Sequence, residues 1–355
     1  MEKLKKKWKW LNLLLILFVP VSFIFHFIDG SSNWTFLAAA LAIIPLASYV
    51  AKSTDELSKH LGPSLGGLIN VTFGNVTELI ISTFAILKGL LRVVKAAIAG
   101  SIITNLLLVL GLSLFFGGLK FQRQKFNQLM AVTNATMLML ATVGMVIPAI
   151  FYYASPNIRT VVLGRFSIGV GTALFLTYLA SLFFTQVTHR KLCVDPPENE
   201  KIEWGLVKAV VILLVSTVLI AFEAEKLVGA IDQVEQQFKI SGVFIGVIVI
   251  PIISNVAENT TAILMARKGK IDLSLNMAMG SSIQVALFLV PLLIFFSHLV
   301  DNPMNVLFSP FELSAIGFGV LTANTIYLQG ESNWFEGFQL IAAYVIIALA
   351  FFFAY

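Results

Sequence analysis

Eleven apolar runs of about 20 residues, the length a helix needs to cross a ~30 Å hydrocarbon core, dominate this chain and leave it few other ways to fold. Bounded by charges or by Gly, Pro and Asn, they fall at about 10–28, 34–52, 62–87, 93–118, 126–154, 159–187, 204–224, 241–266, 271–299, 310–328 and 334–355. Only 12% of the 355 residues are charged, against about a quarter in a soluble domain, and 58% are hydrophobic. A water-soluble globule, a disordered chain and a coiled coil are therefore excluded, and an all-α polytopic membrane protein is expected. The single cysteine, Cys193, permits no intramolecular disulfide, and no Cys and His cluster has the spacing of a zinc site.

The basic start MEKLKKKWKW precedes an apolar run longer than a signal-peptide core, with no small-x-small cleavage site after it, so a retained first helix is expected. A net charge of +5 would suggest nucleic acid in a soluble protein. Here it reports topology, because Lys and Arg concentrate in short cytoplasmic loops. With the N-terminus in the cytoplasm, 17 of the 24 positive residues lie inside, which favours that orientation; three of the exceptions, Lys88, Arg92 and Lys95, share one loop. The long polar stretch from Thr188 to Trp204 reads as a cytoplasmic linker between two halves. Its Asp195, Glu198, Glu200 and Glu203 are read as an ordinary solvated linker, with a regulatory cation site as the alternative.

Set against itself at an offset of 180, the segment from Gly66 to Leu110 matches Gly246 to Val290 without a gap, with ten identities over 45 positions. Apolar composition alone would pair Leu with Ile by chance. These identities instead fall mostly on polar residues and glycines: Gly66/Gly246, Asn75/Asn255, Glu78/Glu258, Lys88/Lys268, Gly89/Gly269, Gly100/Gly280 and Ser101/Ser281 among them. An odd number of spans separates the two copies, so they cross the membrane in opposite directions. Inverted repeats of this kind are the build of secondary transporters, which bind substrate and coupling ion near the midplane where the halves meet.

Glu78 in GNVTELI and Glu258 in SNVAENT sit near the middle of the third and eighth spans. A charge there costs at least ~2.5 kcal/mol, so such a residue ordinarily serves a pathway. A single buried Glu is explained by protonation and hydrogen bonding; two in matching places of a duplicated helix are not. Residues three or four apart share a helix face, which sets Asn75 beside Glu78 and Asn255 beside Glu258, with Thr72, Ser254, Asn259 and Thr261 close by. The next helices add Ser101, Thr104 and Asn105 in one half and Ser281 and Gln284 in the other. Oxygen-only ligands with two carboxylates suit a hard divalent cation, Ca²⁺ ahead of Mn²⁺, because Ca²⁺ accepts flexible shells of oxygens while softer metals recruit Cys or His. Gly66, Gly67, Gly74, Gly100, Gly246 and Gly280 would let backbones approach, with Gly74 the expected place for a bend.

The segments GNVTELIISTFAILKG with GSIITNLLLVLG, and SNVAENTTAILMARKGKIDLSLNMAMGSSIQVALFLVP, resemble the two signature repeats of the Ca²⁺/H⁺ antiporters of the calcium/cation exchanger superfamily. The resemblance covers essentially the whole chain. It implies one peripheral helix followed by two inverted five-helix repeats, that is 1–30, 31–187, a linker at 188–203, and 204–355. It also implies a Ca²⁺ site at Glu78 and Glu258 supported by Asn75, Asn255, Ser101, Ser281 and Gln284, with the two glutamates carrying the protons. Sodium/calcium exchangers share the duplication and are the runner-up; the Asn-Val-x-Glu of both copies favours the proton-coupled branch. A cation channel is the less favoured alternative.

The expected activity is exchange of Ca²⁺ for H⁺ by alternating access, exporting Ca²⁺ from the cytosol. Protons and the cation compete for the same carboxylates, and the resemblance implies that the second and seventh helices move as a gate. No HExxH or Ser/His motif points to an enzyme. No cofactor is expected, Ca²⁺ being substrate. The partners are Ca²⁺, H⁺ and the lipid bilayer, with no nucleic acid and with homo-oligomerisation left open. A bacterial plasma membrane is the expected location. The run FEAEKLVGAIDQVEQQFK is expected at the outer surface, with Glu223 and Glu225 at its mouth, and His298 is a candidate proton relay read more simply as an interfacial residue.

Overall fold

The computed structural model describes residues 10–154, 160–189 and 202–354. The basic start, Cys193 and the linker acids Asp195, Glu198 and Glu200 lie outside them. In chain order the helices are α1 (Trp10–Asp29), α2 (Asn33–Gly62), α3 (63–73), α4 (Val76–Leu87), α5 (Leu91–Gly118), α6 (Gln128–Ala154) and α7 (Val162–Thr188). After the linker come α8 (Leu206–Gly229), α9 (Ile231–Phe238), α10 (Gly242–Ser254), α11 (Val256–Arg267), α12 (Ile271–Leu299), α13 (Pro310–Gln329) and α14 (Trp334–Ala354). Two short strands, β1 (Gln124–Lys125) and β2 (Glu331–Ser332), pair antiparallel and tie the loop before α6 to the loop before α14.

Nine of these helices, among the described residues, are long and apolar enough to cross a membrane. The expected spans 62–87 and 241–266 are not continuous. Each divides into two half-helices, at Asn75 (φ −108°, ψ 25°) and at Asn255 (φ −102°, ψ 8°), exactly 180 positions apart. The expected bend at Gly74 is displaced by one residue, because Gly74 keeps helical dihedrals (φ −56°, ψ −44°) and the chain breaks after it. Gly62 (φ 78°) sets α3 off from α2. Gly89 (φ 75°) and Gly269 (φ 80°), again 180 apart, make the tight turns that lead α4 into α5 and α11 into α12; a side chain at either would be strained.

α5 and α12 form the centre of the bundle, and they are its most buried long helices. Both carry a π-helical turn at the polar residues they contribute, at Thr104–Val109 in α5, which includes Asn105, and at Val285–Leu289 in α12, just past Gln284; such turns often mark functional helices. A third lies in α10 at Ile245–Val249. Small residues let α10 lie against α5: a Cβ on Gly246 would stand 2.6 Å from the Ala96 methyl, and one on Gly100 would collide with the Val247 main chain.

The outer-surface reading of the run after the seventh span needs correction in its first half. Residues up to Gly229 continue α8, and Glu223 is fully buried against Lys226 rather than open at a mouth. Only α9 is the short amphipathic piece expected there, and its Glu235 is hydrogen-bonded to the Gly242 N–H. The half-buried Lys95 that breaks the positive-inside pattern is held by the loop before α13, donating to Leu307 O (2.7 Å) and to Asn305 Oδ1 (2.5 Å).

Candidate cation site at the helix breaks

A helix break leaves backbone groups without intrahelical partners, carbonyls at the end of one half and N–H groups at the start of the next. Both breaks put such groups near the middle of the bundle. Glu78 and Glu258 each lie in the first turn of the half-helix that follows, where the positive end of the helix dipole favours a carboxylate. The last carbonyls of α3 and α10 point the opposite partial charge at the same place, so the breaks gather acceptor oxygens.

Asn75 occupies the N-cap position of α4, where an Asn side chain ordinarily caps its own helix. It makes no such bond. Its side chain instead reaches the other half of the protein: Nδ2 donates to Gln284 Oε1 (2.8 Å) and Oδ1 accepts from the Ser281 hydroxyl (3.3 Å). Asn105 on α5 donates to that same hydroxyl (3.1 Å), which completes a polar chain from α5 through α12 to the first break. Asn255 leaves α11 equally uncapped, and its buried Nδ2 has no hydrogen-bond partner among the described residues.

Glu78 is buried, with its carboxylate beside the side chains of Ser254 and Asn255 across the interface between the halves. Neither carboxylate oxygen closes a hydrogen bond of ordinary length among the described residues. A narrow crevice lies against it, lined by Ser82, Ser101, Ile98, Ile250 and Leu289. Glu258 sits beside the Ser281 hydroxyl and within electrostatic range of Glu78, and it is only partly buried. Two carboxylates, with amide and hydroxyl groups around them and both Glu78 oxygens unpaired among the described residues, make a cradle for a hard cation or for protons.

All seven residues expected at this site are drawn together: Glu78, Asn255 and Ser101 on one side, Glu258, Ser281, Asn75 and Gln284 on the other. Three of the expected neighbours are not. Thr72 and Thr261 are exposed and donate to their own helices, at Leu68 O and Ala257 O. Thr104 turns away toward the Tyr344 hydroxyl (3.4 Å). His298 is bonded to Ile294 O on its own helix (2.8 Å), outside the cluster. Ser82 joins the site without having been expected; its position one turn beyond Glu78 was the available signal.

The site is closed on one side and open on the other. α10 is pressed onto α5 at Gly100, whereas the matching Gly280 of α12 has nothing within 4 Å of its Cβ position among the described residues. Gly67, the counterpart of Val247, faces Gln186 of α7 instead of α12. α3 therefore stands away from α12, and the first turns of α11, including Glu258, are partly exposed. The open side is the one on which α11 ends at Arg267.

Ser281 is a sensitive point of this network. Ser281→Ala leaves Asn105 Nδ2 and Asn75 Oδ1 without their shared partner, each a buried polar group costing about 1–3 kcal/mol when unsatisfied. The expected result is a lower detergent melting temperature and a smaller Ca²⁺-induced rise in it; unchanged values for both would show that the chain carries no weight.

The sequence of the sodium/calcium exchanger protein family matches residues 31–187 and 208–353, most of the chain. The chain belongs to that family. Within it, the chain is 41% identical to a Ca²⁺/H⁺ antiporter of Aphanothece halophytica, over 96% of this chain and 95% of that protein. It is 42% identical to the Ca²⁺/H⁺ antiporter ChaA of Bacillus subtilis, over 94% and 96%. The solved structure of native YfkE superposes with a TM-score of 0.85 at 38% identity, covering 96% of this chain and 99% of that one. The resemblance to the Ca²⁺/H⁺ antiporter branch read from the motifs is thereby borne out, as is the polytopic helical fold of an exchanger.

Proposed function

We propose that this exchanger carries Ca²⁺ outward from the cytosol against H⁺, using Glu78 and Glu258 as the shared binding groups. The observation that carries the reading is the placing of two first-turn carboxylates, one from each broken helix, within electrostatic range of each other, with both oxygens of Glu78 unpaired among the described residues. The Ca²⁺/H⁺ antiporters among its relatives support the choice of ions. Ionised, the pair offers two negative charges and several lone pairs to Ca²⁺. Protonated, it loses that charge and part of its acceptor capacity, so proton and cation occupy the site alternately. An empty, charged site is the costly state in a dry interior, which discourages the protein from switching sides without cargo.

The family match on either side of residues 188–207 supports a division into two inverted halves, 31–187 and 204–355, after the peripheral α1. The excess of Lys and Arg at the Arg267 side supports a cytoplasmic location for the open side, and with it an N-terminus inside a bacterial plasma membrane. In this reading the structure is poised to take Ca²⁺ from the cytosol.

The test is reconstitution into vesicles with an imposed pH gradient. Ca²⁺ is expected to accumulate uphill, with protons leaving as it enters; a channel cannot do this, and an Na⁺ gradient at matched pH is expected to drive none. Lowering the pH on the Ca²⁺ side is expected to raise the apparent KM by up to about tenfold per pH unit for each proton displaced, because protonation removes the ligand. A KM that stays flat with pH would separate the proton site from the cation site.

A further inference from the structure

The bilayer face opposite the one where α11 ends gathers the end of α1 at Asp29, the start of α2 at Asn33, the end of α8 at Gly229 and the start of α10 at Gly242. α9 joins the last two. It meets α10 at a bend of 119°, so it runs across the end of the bundle instead of into it, as an interfacial helix does. Ile231 and Val234 are buried beneath it, while Gln233, Gln236 and Gln237, three and four residues apart, share an exposed face.

Between α9 and the turn that joins α1 to α2 lies a groove of about 720 Å³, within the size range of small-ligand sites. None of the cation-site residues lines it. The three glutamines and Asp29 do, together with Trp34, Leu37 and Phe238, which are 62%, 48% and 59% exposed. Asn33 Nδ2 donates to Gln237 Oε1 and so clasps α2 to α9 within the lining. Its other amide atom, Oδ1, is buried without a hydrogen-bond partner among the described residues. A buried acceptor left open calls for a donor.

Large apolar side chains beside amides and a carboxylate need an occupant that is apolar at one end and polar at the other. Water alone leaves Trp34 and Phe238 wet, and an acyl chain alone leaves the amides unpaired. A lipid seated at headgroup depth meets both demands, and Trp is a usual anchor at that boundary. Charge selects the headgroup. Among the described residues that line the groove, Asp29 alone is charged; Glu235 is engaged by the Gly242 N–H, and Lys239 lies outside the lining. An anionic headgroup would face this carboxylate with no cation in the lining to meet it. An ammonium group has three N–H donors, enough for the Asp29 carboxylate and Asn33 Oδ1 together, and the phosphate beside it accepts from glutamine N–H groups.

We propose that the groove between α9 and the α1–α2 turn is a binding site for an aminophospholipid, with its ammonium on Asp29 and Asn33, its phosphate on Gln233, Gln236 and Gln237, and its acyl chains leaving past Trp34 and Leu37. Leu37 lies one turn deeper along α2 than Asn33, so the polar and apolar ends of the lining follow the direction of the bilayer.

The test is titration of the delipidated full chain in mild detergent with short-chain phosphatidylethanolamine or phosphatidylglycerol, read as the rise in melting temperature and as lipid retained in native mass spectrometry. Phosphatidylethanolamine is expected to bind at least about fivefold more tightly than phosphatidylglycerol, and Asp29→Asn to weaken it by about fivefold, the upper end for an exposed ion pair. Leu37→Trp fills the groove and is expected to displace lipid of either headgroup. Asp29 and Leu37 are both exposed, so each variant is expected to melt like the parent when lipid is absent. Equal binding of the two lipids, full phosphatidylethanolamine binding by Asp29→Asn, or undiminished binding by Leu37→Trp would overturn the assignment. Lipid retention is read without transport, so its outcome leaves the exchange reading to its own test.

Discussion

Glu78→Gln and Glu258→Gln are each expected to reduce pH-gradient-driven Ca²⁺ uptake by at least about a hundredfold, equivalent to ~2.7 kcal/mol of lost stabilisation. Gln keeps the volume and one acceptor oxygen, so packing against Ser254, Asn255 and Ser281 survives and the change isolates charge. A site reduced to one carboxylate holds a divalent cation poorly and has no second ionisable group for exchange. Glu78 is the more severe position, being buried with both oxygens unpaired, whereas partly buried Glu258 keeps access to water. Melting curves with and without Ca²⁺ check that each variant is folded. Near-normal proton-coupled uptake by either one would remove that residue from the site.

Gly280→Ala is expected to separate stability from turnover. Among the described residues nothing lies within 4 Å of the Cβ it adds, and replacing Gly by Ala within a helix gains about 1 kcal/mol, so the variant should melt no lower than the parent. Yet the matching Gly100 is sealed against the Val247 main chain, and a protein built from inverted copies is expected to form the same seal at Gly280 when the open side closes. A methyl group there holds α3 off α12. Ca²⁺ binding from the open side should persist while uptake falls at least about tenfold, a loss of ~1.4 kcal/mol in the transport barrier. Gly100→Ala should do the reverse and destabilise the present state, because its methyl group meets backbone that cannot step aside. Full turnover by Gly280→Ala would mean that the two sides close by different contacts.

Much of this was legible in the sequence because polar residues inside apolar helices are costly enough to be informative. The repeat stood out through Asn75/Asn255, Glu78/Glu258 and Ser101/Ser281, and those pairs converge in space. What escaped was the geometry of the breaks. Reading 62–87 as a continuous helix placed Thr72 on the face of Asn75 and Glu78; the interruption at Asn75 turns α3 independently, and Thr72 ends up exposed. Gly74 signalled a bend, but Asn near mid-span is compatible with a helix by propensity, so its exact place at Asn75 and the full interruption follow from tertiary context, the pull of Gln284 and Ser281 on its side chain. Glu223 was misplaced for a different reason. It was read with the acidic run that follows, although Lys226 three residues on already offered it a partner on the same helix face.

The π-helical turns of α5 and α12 have a consequence for phase. Each packs a surplus residue into one turn, so the helix beyond is rotated relative to an uninterrupted one by about 100° per added residue. Ser101 and Asn105, or Ser281 and Gln284, can thus look inward while the apolar stretches after them stay matched to their own neighbours. The bundle carries two angular registers on single rods, and loss of one residue from either turn would leave the polar half and the greasy half competing for the same direction.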